Sequence, residues 1–243
     1  RFLNAPRLVM SFDQGMSDEF PLRMLLNMDP PEHQEMRALV SKRFTPRALE
    51  RIRAQVDGIA TDILDRAMHT RGEEIEADFV EQVSAVLPIW VIAEMLGVPR
   101  GDWEMLFHWT NRTIGAADVE YREAGKTAEE TMQQARLALF KYFSDLTAER
   151  RQRPRDDLIS ILANARVRGE PLPVFELMSY YLLLVVAGNE TTRNATSGGL
   201  LALIENPGEL AKVRGNPALV KPLVEEILRW TSPVIHFCRT AAQ

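Results

Sequence analysis

The chain has 243 residues, 46% of them hydrophobic and 26% charged, which is the balance of a sequence that folds around a core and not of a disordered one. A formal net charge of -5 and a pI near 5.5 exclude any general attraction to nucleic acid or to an anionic membrane, because those partners reward a basic surface. Cys238 is the single cysteine, which excludes a disulfide framework or a CxxC metal site, and the longest uncharged stretch, Leu177 to Asn189, falls short of the ~18 to 20 apolar residues a membrane span needs.

The first thirty residues, punctuated by Pro6, Gly15, Pro21, Pro30 and Pro31, read as a loop carrying an apolar patch from Leu22 to Met28. Asp29-Pro30-Pro31-Glu32 then reads as a helix start, with a capping acid, prolines where no amide partner is lost, and an acid that reaches back to the cap. Pro46 opens a second helix, whose apolar positions Leu49, Ile52, Val56, Ile59, Ile63, Leu64 and Met68 recur at helical spacing. Ala77 to Leu96 is expected to be a largely buried helix, closed by Gly97 and bent by Pro88. Pro99 to Ile114, Tyr121 to Arg153 and the short Asp156 to Arg166 are further helices. Pro173 introduces the longest one, Val174 to Glu205, about 48 Å at ~1.5 Å per residue. A brief helix follows near Glu209 to Arg214, and another from Pro217 to Ser232-Pro233. Val234 to Thr240 is the one strand candidate, so the fold class is mainly α with a minor β element near the C-terminus, in one domain over 1–243.

Four constellations carry chemistry. His33 and Arg37 lie four apart on one helix face, two cationic donors suited to a carboxylate ligand or, equally, to water. Ala187-Gly188-Asn189-Glu190-Thr191-Thr192 interrupts the apolar run of the long helix with residues that remove bulk, weaken the helix and place an acid and an alcohol beside the gap, where it is expected to bend or unwind. The plainer reading is a core helix in which Glu190 pairs with Arg193, with Gly198-Gly199 serving close packing. Glu226 and Arg229 form an acid and guanidinium pair three apart on a face made partly apolar by Leu223, Ile227 and Trp230, which favours a buried pair. In the strand candidate, alternation sets Arg239 and Phe237 on one side and His236 on the other, as a pocket wall or as an edge with a solvated arginine.

In this order the segments resemble the cytochrome P450 family over nearly the whole chain. The resemblance implies a P450-like helical fold and a haem b (iron protoporphyrin IX) whose propionates are held by His33, Arg37 and Arg239 against Ala187 and Gly188. It implies Glu190 and Thr191 as the acid and alcohol that deliver protons, and Glu226 with Arg229 as a structural ion pair. No metal ligand is assigned: the glycine-flanked Phe-x-x-Gly loop that supplies the family's thiolate does not occur, and Cys238, set between His-Phe and Arg-Thr with no glycine near, is given to packing. The family's N-terminal sheet and helix also lie outside the sequence. The chain is therefore expected to be a central portion of such an enzyme and, alone, not an active oxygenase.

The implied activity is insertion of one atom of O₂ into a C–H bond of a hydrophobic substrate. The run from Ala187 to Asn194 is similar to that of bacterial hydroxylases of sterol side chains, methyl-branched lipids and terpenes. Its pocket walls are expected from Leu22 to Met28, from Trp103, Phe107 and Trp109, from Val185 to Gly188 and from Val234 to Phe237. Electrons would come from NAD(P)H through a ferredoxin reductase and a ferredoxin, steered by the local basic stretch Arg37, Lys42, Arg43, Arg47, Arg51 and Arg53. A cytoplasmic location is expected, since no charged start followed by an apolar run marks a signal peptide. A peroxide-driven haem enzyme and a non-catalytic helical ligand-binding module are the alternatives.

Overall fold

The computed structural model describes residues 24–68, 77–115 and 118–234. Nine α-helices form among them: α1 Glu32–Ser41, α2 Pro46–Met68, α3 Val86–Leu96, α4 Trp103–Ile114, α5 Ala128–Gln152, α6 Leu158–Ala163, α7 Val174–Glu205, α8 Pro207–Gly215 and α9 Val220–Thr231. A two-residue antiparallel hairpin, β1 Arg166–Val167 with β2 Glu170–Pro171, joins α6 to α7. The fold is mainly helical, as expected. The strand expected over Val234 to Thr240 lies outside the described residues, apart from Val234 itself.

Local chemistry explains where the helices begin. Pro46 occupies the first position of α2, and the preceding Thr45 takes the Ala48 amide on its hydroxyl at 3.3 Å. The capping arrangement expected at Asp29 and Glu32 is corrected: α1 is preceded by Pro31, which makes no side-chain cap bond, and the Asp29 carbonyl takes the His33 amide at 3.0 Å. The helix expected from Tyr121 begins at Ala128, because Thr127 and Glu130 close a reciprocal capping box with bonds of 2.8 and 3.2 Å. The bend expected at Pro88 falls earlier. Val80–Ser84 makes a π-helical turn, in which the Ala85 amide donates to Val80 five residues back at 2.9 Å. Pro88 then sits in the first turn of α3, where its missing N–H leaves no gap in the ladder. The helix expected to reach Arg166 stops at Ala163, and the turn between the strands uses positive φ at Arg168 and Gly169.

The described residues fall into two compact units, one from Phe12–Asp62 and Ile89–Ala187, the other from Ile63–Pro88 and Gly188–Gln243. In the first, Ile89, Ala93, Leu96, Leu106, Leu139, Phe143, Ile159, Leu162, Leu177 and Tyr181 are buried, each large apolar side chain contributing roughly 1.5–3 kcal/mol. Phe143 and Tyr181 stack at 5.0 Å between ring centres. The Tyr180 hydroxyl donates to the Met36 carbonyl at 3.0 Å, tying α7 to α1, and Arg168 of the hairpin pairs with Glu35 at 3.1 Å.

A charged knot closes this unit. The Arg150 guanidinium, fully enclosed, donates to Asp157 at 2.7 Å, to Glu149 at 2.6 Å and to the Gly97 carbonyl at 2.8 Å. Asp157 also caps α6 through the Ser160 amide at 2.6 Å. Gly97 has φ +82°, and a Cβ there would lie 2.3 Å from the Asp157 carboxylate, so the position requires glycine for conformation and for space.

In the other unit, the expectation that Gly198-Gly199 permits close packing holds. A Cβ on Gly198 would lie 2.8 Å from Thr231, and one on Gly199 would lie 2.7 Å from Ile227. Ser84 and Ser197 share a hydrogen bond at 2.6 Å. No residue of α8 or α9 is buried.

Candidate functional site

In the first unit, His33 and Arg37 stand one turn apart on α1, His33 half-buried and Arg37 exposed, while Met36 and Val40 turn inward. Burial raises the Tyr180 phenol to about 12, with the Arg37 charge opposing the rise. Tyr180 marks the side of α7 that meets α1. Ala187 follows seven residues later, within roughly 20° of the same face and about 10 Å along the axis. Yet Tyr180 is buried and Ala187 is exposed.

That contrast opens a notch in which no side chain longer than a methyl stands on the α7 wall. A flat, apolar, dianionic group needs a wall without bulk and donors at its edge, and Ala187 with His33 and Arg37 fits those needs. The described residues contain no cysteine and no group of three or more metal-ligating side chains, so an axial ligand is not among them. Arg239, expected to complete the donor set, lies outside the described residues, as do Cys238 and His236.

The helix does not unwind at Ala187-Gly188; α7 runs unbroken from Val174 to Glu205. The expected unwinding is corrected here: one glycine costs a helix only ~1 kcal/mol, less than the anchoring of the buried turns before it. In the other unit, Glu190 and Thr191 are half-buried, and Glu190 pairs with Arg193 at 3.6 Å. The plainer contact is therefore formed, with the Glu190 carboxylate still 43% exposed.

Glu226 and Arg229 do pair, through two bonds of 2.7 and 2.5 Å, but the side chains are 55% and 66% exposed. The expectation of a buried pair is corrected, since Ile227 turns to Gly199 and the pair to the open side. The mutual bond lowers the Glu226 carboxyl and raises the Arg229 guanidinium from their ordinary values. The pair borders an apolar groove of about 390 Å³ shared by α7, α8 and α9, with Trp230 on its rim.

Two expected pocket walls belong to the core. Trp103 is buried, donates its indole N–H to the Val98 carbonyl at 3.0 Å and packs on Trp90, and Val185 is fully buried. Phe107 and Trp109 remain partly open, Trp109 meeting Tyr142 edge to face. Sequence reasoning passed over Asn189, which is 1% exposed with a side-chain oxygen that has no hydrogen-bond partner. An amide inside an otherwise apolar run is the signal that could have found it.

No family model matches the chain. It is 37% identical over 220 residues to the methyl-branched lipid omega-hydroxylase of Mycobacterium tuberculosis, covering 90% of this chain and 50% of that protein. It is 37% identical over 223 residues to the steroid C26-monooxygenase of Mycolicibacterium smegmatis, covering 90% and 49%. The structure of the Mycobacterium marinum cytochrome P450 CYP268A2 in complex with pseudoionone matches with a TM-score of 0.79 at 36% identity, over 85% of this chain and 49% of that one. The chain spans about half the length of the relatives it matches. Over that half, sequence and helical architecture agree with one another, and the chain belongs to the cytochrome P450 family.

Proposed function

We propose that this chain forms part of a haem-dependent monooxygenase that inserts one oxygen atom of O₂ into a C–H bond of a hydrophobic substrate. The observation that carries the reading is the exposed Ala187 on the α1-facing side of an otherwise buried stretch of α7, with His33 and Arg37 on α1. Haem b, when bound, would supply the reductive activation of O₂. His33 and Arg37, joined by Arg239, would donate charge-assisted hydrogen bonds to its propionates. Ala187 and Gly188 would let its flat face approach the α7 backbone.

Thr191 and Glu190 take the proton-delivery role in this proposal. The threonine hydroxyl would hold a proton at its oxygen, and the Glu190 carboxylate, released from the 3.6 Å contact with Arg193, would replace it from solvent. Glu226 and Arg229 keep a structural role on α9. Methyl-branched lipids and steroids, the substrates in the names of the two relatives, make an apolar lipid or sterol the substrate class we propose. Electrons from NAD(P)H would arrive through a ferredoxin reductase and a ferredoxin. Exposed Arg37, Lys42, Arg47 and Arg51, with half-buried Arg43, would steer the acidic carrier. Arg53 is engaged with Glu50 at 3.3 Å. No described helix is long and apolar enough to cross a membrane, and the cytoplasm is the location we propose.

A carbon monoxide difference spectrum of the reduced, haem-loaded full-length protein is expected to show the red-shifted thiolate band; a folded, haem-loaded sample without it would refute the reading. Thr191→Ala is expected to lower product per electron consumed several-fold while oxygen uptake continues. Unchanged coupling would remove Thr191 from the proton path. Turnover with peroxide that equals turnover with the reductase chain would reassign the enzyme to the peroxide-driven class.

A further inference from the structure

A second cleft, of about 610 Å³, lies wholly within the first unit between the start of α2, the end of α3 and the α5–α6 connection. Its wall is charged where a lipid site would be apolar. Lys42, Arg43 and Arg51 enter it from the α1–α2 turn and the first turns of α2, and Arg155 from the α5–α6 connection. The carboxylates on the opposing side are committed: Asp157 and Glu149 to Arg150, Glu149 also to Arg155, and Glu94 to the Gln55 amide at 3.1 Å.

Asp156 stands apart from these. Its side chain is 88% exposed, yet it reaches across 113 residues of sequence to bond Arg43. Arg43 first, and the Arg51 charge after it, hold this carboxyl below its ordinary value. Lys42 has no carboxylate partner among the described residues. Three cations thus surround one carboxylate that solvent can take back at little cost, because an exposed ion pair is worth only about 0–1 kcal/mol.

We infer that the cleft is an anion site for a phosphoryl group, with Asp156 occupying the ligand's place when it is empty. A phosphate or phosphate monoester would displace Asp156 into water and take bonds from the forked guanidinium groups of Arg43 and Arg51 and from the Lys42 ammonium. A dianion satisfies those three donors better than one carboxylate does. The site is independent of haem binding and of the proton path.

The test is an equilibrium titration of the full chain with inorganic phosphate, and separately with glycerol phosphate, at constant ionic strength. Three proteins are compared: the parent, the double variant Lys42→Gln/Arg51→Gln, and Asp156→Asn. The substituted side chains are exposed, so all three are expected to fold. Saturable binding is expected in the parent, weakened at least about tenfold in the double variant and tightened several-fold in Asp156→Asn, where the internal competitor has lost its charge. Equal affinity for both ligands assigns the site to the phosphoryl group as such, and tighter binding of the ester names an ester as occupant. Non-saturable binding, or equal affinity in all three proteins, overturns the inference.

Discussion

In the unit built on α1 and α3 to α6, a guanidinium is fully enclosed, whereas in the other unit the indole of Trp230 is 65% exposed and nothing on α8 or α9 is buried. Arg150 goes inside because two carboxylates and a carbonyl meet its donors. Trp230, Val224 and Leu228 stay outside although their spacing is that of an amphipathic helix. Enclosure follows the partners available to a group, and an apolar stripe specifies a helix without specifying what covers it.

The largest expected effect comes from breaking the enclosed side. Arg150→Met would leave Asp157 buried without its partner and is expected to cost about 3–5 kcal/mol, read as a fall in the urea unfolding midpoint. A cost under about 1 kcal/mol would mean that the knot is decorative and would collapse the contrast. Next is the seam in the other unit. Gly199→Ala would press a methyl to within 2.7 Å of Ile227 and is expected to cost about 1–3 kcal/mol, with most of the loss recovered by adding Ile227→Ala.

Tyr180→Phe removes one buried hydrogen bond, to the Met36 carbonyl, and is expected to cost about 1 kcal/mol near neutral pH. Because folding raises this phenol from 10.0 to about 12, its stabilising contribution is complete below pH 10 and is lost as pH climbs through 12. The variant's deficit should therefore shrink in alkaline unfolding curves, and a constant deficit would deny the shift. The smallest effect is expected at Glu226→Gln, under about 0.5 kcal/mol for so exposed a pair. A loss of several kcal/mol in a longer polypeptide would show that α9 is covered there, which would sharpen the comparison.

Much of the architecture was legible in the residues. Pro46 and Pro173 with the apolar spacing after them set α2 and α7 to the bounds observed, since proline in a first turn and a sustained 3.6-residue period point the same way. The start of α5 was missed by seven residues because the pattern from Tyr121 continued through a turn, while the stronger capping signal, Thr127 with Glu130, settled the true start. The hairpin at 166–171 was hidden because two-residue strands leave no periodicity to read.

Within the candidate site, small residues and an acid-alcohol pair could be read from order along the chain. Exposure could not. That Ala187 is open, that Trp103 is core and that Glu226 faces outward depend on neighbours distant in sequence.

The π turn at Val80–Ser84 has a consequence for length variation. Its ring closes over five residues where an α-helix closes over four, so this stretch carries one residue more than a regular helix would need. Excision of Gln82, exposed on that turn, should regularise the spiral and leave Phe79 and Val86 near their places, whereas removing one residue from the middle of α5 would rotate every following side chain by about 100°.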